Sequence, residues 1–218
     1  MDGNKKNIDQ GIYLVIDPGM EKPELLLKLA LALKAGLAAV QIWNHWPEDA
    51  DKSALIPAVS ALCRAAGVPL LIGNDWELLM SSRDLDGVHF DAVPENFEEI
   101  KERVARPFLA GITCSGELST VEWANSNGFD YISFCAIYPS SSSANCPIVS
   151  PETINTARRI TGLPLFVSGG ITPDNIPELK KQALFNGVAV ISGIMKADDP
   201  LAATQAYKNA FTLKNDNR

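Results

Sequence analysis

Two neighbouring turns in the C-terminal third of the chain combine residue types suited to holding an anion. The stretch from Pro164 to Ile194 reads PLFVSGGITPDNIPELKKQALFNGVAVISGI. One apolar run ends in Ser168-Gly169-Gly170-Ile171-Thr172, a helical pattern follows, and a second apolar run ends in Ile191-Ser192-Gly193. Glycine lets backbone approach a ligand closely, and N–H groups at a helix start favour negative charge. In a (β/α)₈ barrel the loops after strands seven and eight form such a phosphate site. Glycine also serves simple tight turning. The repetition of glycine beside a hydroxyl residue in both turns favours phosphate contact by Gly169, Gly170 and Ser192.

Short β-rich apolar runs alternate with helical patterns along nearly the whole chain. The expected strands are 12–16, 39–43, 70–73, 87–90, 108–113, 131–137, 165–167 and 188–191. Segments such as PELLLKLALALKAG and PLAATQAYKNAF between them repeat apolar residues with a period near 3.6. Strands apolar on both faces belong to parallel sheets covered by helices. About eight such units without an internal linker predict a single (β/α)₈ TIM barrel over residues 1–218, with polar tails at about 1–10 and 214–218. A doubly wound open sheet is the alternative. It would carry a GxGxxG fingerprint after its first strand, where this chain has Asp17-Pro18-Gly19.

Barrel active sites form at the C-terminal strand ends. There the sequence places Asp17; Gln41, Trp43, Asn44 and His45; Asn74 and Asp75; His89 and Asp91; Thr113 and Ser115; Tyr138 through Ser143; Gly169 and Gly170; and Ser192. The rim is polar but poor in cations. For Asn74 and Asp75, ligand contact competes with capping the helix that opens at Trp76. Trp43 is suited to packing or to stacking on a flat heterocycle, and the serine run at 140–143 to a low-complexity loop or to an anion-binding lid.

With 19 basic against 26 acidic side chains in 218 residues, the formal charge is −7. That excludes a broad nucleic-acid or anionic-membrane surface. No run approaches the ~18 apolar residues of a membrane span, and the polar N-terminus lacks a signal-peptide core. A soluble, cytoplasmic protein is expected. Cys63, Cys114, Cys135 and Cys146 are widely spaced, with no CxxC pair, and read as reduced thiols rather than a metal site.

Several of these blocks together resemble the thiamine phosphate synthase and thiazole tautomerase superfamily. They are Gly11-Ile12-Tyr13-Leu14-Val15-Ile16-Asp17, Ala39-Val40-Gln41, Leu71-Ile72-Gly73-Asn74-Asp75, and Asp86-Gly87-Val88-His89. Further along come Gly111-Ile112-Thr113, Asp130-Tyr131-Ile132, Ile137-Tyr138-Pro139-Ser140, the Gly169-Gly170-Ile171-Thr172 turn with Asn175, and Ser192. The resemblance implies joining of a hydroxymethylpyrimidine diphosphate to a thiazole phosphate with loss of diphosphate. It assigns phosphate to Gly169, Gly170 and Ser192, and pyrimidine and diphosphate to Gln41 and Asn74. Thr113 and Ser140 would touch the leaving group. Mg²⁺ would sit on Asp75, with Asp91 as the candidate second carboxylate. A homodimer is a further possibility.

The chain departs from the resemblance where charge matters. Trp43 and His45 stand where family members carry an arginine and a lysine, and the loop from Ser140 to Cys146 has no lysine. His45, a weaker cation than lysine at neutral pH, becomes the catalytic candidate there. The tautomerase branch would need a histidine where Ser115 lies. Two expectations follow: a thiamine phosphate synthase-like transferase of weakened activity, or a non-catalytic or regulatory barrel that binds a thiazole phosphate or similar phosphorylated small molecule.

Overall fold

The computed structural model describes residues 6–140 and 147–212. Eight parallel strands close on themselves in sequence order: β1 (Gly11–Ile16), β2 (Ala39–Ile42), β3 (Leu70–Gly73), β4 (Gly87–Phe90), β5 (Leu109–Thr113), β6 (Tyr131–Phe134), β7 (Leu165–Ser168) and β8 (Gly187–Val190). Pairing of β1 with β8, Ile12 beside Val188, makes the sheet a barrel and removes the open-sheet alternative. Nine helices run outside it among the described residues: α1 (Lys22–Lys34), α2 (Lys52–Ala65), α3 (Trp76–Ser81), α4 (Phe97–Val104), α5 (Leu118–Ser126), α6 (Pro151–Ile160), α7 (Ile176–Gln182), α8 (Ser192–Met195) and α9 (Pro200–Thr212). None is long and apolar enough to cross a membrane.

Local chemistry sets the helix starts. Asp51, Asn96 and Ser150 each accept a hydrogen bond from a first-turn N–H, at Ala54, Glu99 and Thr153. The strands end close to where their apolar runs end. β6 is the exception and stops at Phe134, short of the expected Ile137. Beyond it Ala136 exchanges hydrogen bonds with Pro147 and Val149 instead of continuing the barrel ladder.

The pleat divides the strand residues into two apolar layers. Leu14, Ile16, Val40, Ile42, Val88, Ile112, Phe134 and Val167 face the helices. Tyr13, Val15, Leu71, Leu109, Tyr131 and Phe166 fill the barrel interior. Large interior rings need small neighbours. A Cβ on Gly111 would lie 2.0 Å from Tyr131 Cζ, and one on Gly187 would lie 2.3 Å from Phe166 Cε1.

At the opposite, N-terminal end of the barrel a device recurs. Asp86, Asp130 and Asn186, each just before an even-numbered strand, accept from Leu70, Ala110 and Leu165 N–H on the strand before. Asp86 and Asp130, which open two of the blocks that carry the resemblance, are therefore stability features of this face. The helix α9 completes the ring: Tyr207 Oη donates to Ile171 O, and Lys208 Nζ to Ala35 O.

Candidate active site

A cavity of about 690 Å³ opens at the C-terminal face. Its floor is made of inward-pointing strand residues: Tyr13 and Val15 on β1, Gln41 on β2, His89 on β4, Thr113 on β5, Tyr131 and Ser133 on β6, and Phe166 and Ser168 on β7. Polar members of this floor join in one chain. Tyr13 Oη donates to Gln41 Oε1 at 2.9 Å and meets Tyr131 Oη at 2.8 Å. His89 Nδ1 lies 2.9 Å from Tyr131 Oη, and its Nε2 lies 2.9 Å from Thr113 Oγ1. Burial pushes the His89 imidazolium down to about 4, against the opposing pull of Asp91, so the ring is neutral near pH 7. Burial raises both tyrosine hydroxyls above their usual range.

One end of the cavity is the turn after β7. Carbonyls of Ser168, Gly169 and Gly170 accept from Ile137 N, Tyr138 N and Asn175 Nδ2. The carbonyls of this turn are thus engaged within the protein. Asn175 also accepts from Thr172 N and locks the turn. Gly170 has φ +64°, and a Cβ there would lie 2.6 Å from that of Tyr138, so glycine is required. Ser192 and Gly193 border the same end.

The rest of the rim holds Trp43, Asn44, His45, Asp91, Thr113 and Ser115, with Ser140 following Pro139, which borders Gly170. The Trp43 and His45 rings stack with centroids 3.7 Å apart. No lysine or arginine lines the cavity among the described residues. Residues 141–146, which include the expected serine loop and Cys146, lie outside them.

Of the residues singled out in the sequence, Gln41, His45, Asp91, Thr113, Ser140, Gly169, Gly170 and Ser192 meet in this one cavity. Asn74 and Asp75 do not line it. Asn74, at φ +55°, binds Asp91 through both its amide atoms. Asp75 takes its capping role, accepting from Leu78 N–H, and pairs with Lys52 at 3.3 Å. Asp17 instead accepts from Gly19 N–H. The interior residues Tyr13, Tyr131, Ser133 and Phe166 were not expected. Their signal was available: a polar or aromatic residue at every second position of an apolar strand points to one face.

The Mg²⁺ implied by the resemblance needs several oxygen ligands in octahedral array. Both Asp75 oxygens are engaged, and Asp91 Oδ2 accepts from Asn74 and Asn44 amides. Among the described residues no three His, Cys, Asp or Glu side chains are placed to hold a metal ion. As placed, Asp75 caps α3 and pairs with Lys52 while Asp91 is held by two amides, so the two carboxylates do not form a preformed pair for the ion. Cys63 and Cys114 are buried and unpaired, and burial pushes their thiols up to about 12.

The family model of thiamine monophosphate synthase matches residues 12–194. Thiamine-phosphate synthase of Xanthomonas campestris pv. campestris (strain 8004) is 32% identical over 203 residues, spanning 93% of this chain and 96% of its own. The thiamine-phosphate synthase of Xylella fastidiosa (strain Temecula1) is 30% identical over 204 residues, spanning 94% and 86%. Thiamine phosphate pyrophosphorylase from Pyrococcus furiosus shares the fold, with a TM-score of 0.78 at 21% identity over 93% of this chain and 95% of that one. Matched over most of its length by the family model and by relatives of this identity, the chain belongs to the thiamine monophosphate synthase family.

Proposed function

We propose that the protein is a thiamine phosphate synthase-like transferase of weakened activity. It binds a thiazole phosphate at the Gly169–Gly170–Ser192 end and a hydroxymethylpyrimidine diphosphate toward Gln41. The supporting geometry for the first is the β7 turn, whose carbonyls are all engaged internally. For the second it is the Gln41 amide on the cavity floor and the hydroxyls of Thr113 and Ser140 in the same lining. Asn74 acts on this region only through Asp91, which it holds.

The observation that carries the weakened activity is the wall facing the diphosphate. A departing diphosphate spreads several negative charges, and preorganised cations stabilise that transition state most. Here the described lining offers hydroxyls, the stacked Trp43–His45 pair and the Asp91 carboxylate, with no lysine or arginine. His45 is the remaining group that can carry a proton toward the leaving oxygens. Magnesium would enter with the diphosphate as its counter-ion. Steady-state turnover of both substrates with Mg²⁺ by the purified protein tests this reading. Slow formation of thiamine phosphate is expected, and turnover at the rate of a relative with the full set of cations would defeat it.

A second reading is favoured by Asp91. Its carboxylate borders the region the diphosphate would enter and so opposes that anion. On this reading the barrel binds the thiazole phosphate without catalysis. Calorimetric binding of thiazole phosphate, with no product formed in the turnover assay, would select it.

A further inference from the structure

Hydrogen-bond links have a direction, and on the cavity floor that direction can be worked out. Gln41, Tyr13, Tyr131, His89 and Thr113 form an unbranched chain with links of 2.9, 2.8, 2.9 and 2.9 Å. A tyrosine hydroxyl has one proton and donates once. Tyr13 donates to Gln41 Oε1, so at its other contact it must accept. Tyr131 therefore donates to Tyr13 and must accept from His89, which puts a proton on His89 Nδ1. The Nε2 of a neutral ring is then an acceptor, filled by the Thr113 hydroxyl. At the far end Gln41 is only 5% exposed, yet its Nε2 has no acceptor among the described residues. Gly73 keeps that nitrogen clear, since a Cβ there would lie 3.2 Å from it.

We propose that Tyr13, Tyr131 and His89 are positioning residues that fix the polarity of the ligand floor: Gln41 presents N–H donors and Thr113 presents oxygen lone pairs. The two ends are tied together, because turning the Gln41 amide over requires every link to reverse. The floor is thereby set for a heteroaromatic ligand that offers a ring-nitrogen acceptor at Gln41 and an amine donor at Thr113. A ring with the opposite pattern is excluded unless all five groups turn over. The identity of the ligand rests on the proposed function. The direction of the chain does not.

The test is the tautomer of His89 in the ligand-free full-length protein, read by long-range ¹H–¹⁵N correlation spectra at neutral pH. Two histidines occur in the sequence, so a His45→Gln variant completes the assignment. The Nδ1–H tautomer is expected for His89, and the Nε2–H tautomer would overturn the proposal. In Tyr13→Phe the Tyr131 hydroxyl loses its acceptor and turns to His89 Nδ1. The ring should then switch to Nε2–H while His45 keeps its wild-type shifts. A Tyr13→Phe protein that melts as a folded chain and leaves the His89 tautomer unmoved would also overturn it. If that variant does not fold, the wild-type tautomer decides alone. Calorimetry supplies the functional readout: Tyr13→Phe should weaken binding of 4-amino-5-hydroxymethyl-2-methylpyrimidine about tenfold and leave thiazole phosphate affinity unchanged. A wild-type protein that ignores the aminopyrimidine would refute the ligand assignment, with the tautomer still deciding the direction of the chain.

Discussion

At the Gly169–Gly170 end of the cavity the polar groups are backbone atoms, held by Asn175, Ile137 and Tyr138 in a turn where an added Cβ cannot fit. At the Trp43–His45 end they are side chains: a stacked indole and imidazole, hydroxyls and a carboxylate. A phosphate site made of backbone depends on chain geometry, so it persists through many substitutions as long as the turn is kept. A diphosphate site made of lysines and arginines depends on a few side chains and disappears with them. On the proposed reading, the two halves of this cavity have separated in that way.

The largest expected effect breaks the better-built end. Gly170→Ala places a Cβ 2.6 Å from that of Tyr138 and 2.9 Å from Pro139 O at φ +64°. Displacing a turn that gives two or more hydrogen bonds to a charged group should cost about 4 kcal/mol, or roughly 10³-fold in thiazole phosphate affinity by calorimetry. Unchanged affinity would remove the turn from the site.

The floor shared by both ends comes next, and it responds to acid. Folded His89 takes a proton only near pH 4, whereas an unfolded histidine does so near 6.5. Between these values the unfolded chain binds more protons, so stability is complete above about pH 6.5 and falls as pH drops toward 4. The loss from this residue should reach roughly 3 kcal/mol, measured by urea unfolding across that window. A His89→Gln variant should show a flatter profile, and an unaltered slope would contradict the burial argument.

Repairing the poorer end is the third test. Trp43→Arg combined with His45→Lys introduces two cations into the cavity lining, and turnover should rise at least about tenfold. A double variant no faster than wild type would mean that charge is not what the site lacks. The smallest effect lies outside both ends. Asp75→Ala should lower stability by about 1 kcal/mol through the lost cap of α3, with thiazole phosphate affinity and the magnesium dependence of turnover unchanged. A collapse of magnesium dependence would return Asp75 to the site.

The barrel itself was legible in the sequence because strands buried on both faces leave apolar runs, and the helices between them keep a 3.6 period. Most rim residues were legible for a related reason, since a strand end is visible where the apolar run stops. Asp75 looked equally like a ligand and a cap, and only its contacts with Leu78 and Lys52 decide its place. The interior residues Tyr13, Tyr131, Ser133 and Phe166 were missed because they lie inside the runs. Tyr13 and Tyr131 are 118 positions apart in the chain, and no local pattern announces that their hydroxyls meet. Residue alternation within each strand would have marked both as inward-facing. The absence of lysine and arginine at positions 43 and 45 could be read directly, because charge belongs to residue type rather than to geometry.

The proposal that one end of the cavity holds phosphate tightly and the other holds a diphosphate only weakly is tested most directly by a sequential calorimetric titration of the wild-type protein. Thiazole phosphate is added to saturation, and inorganic diphosphate with Mg²⁺ is then titrated into the same cell. The account predicts tight, saturable binding in the first step and much weaker binding in the second. Diphosphate bound as tightly as thiazole phosphate would contradict it.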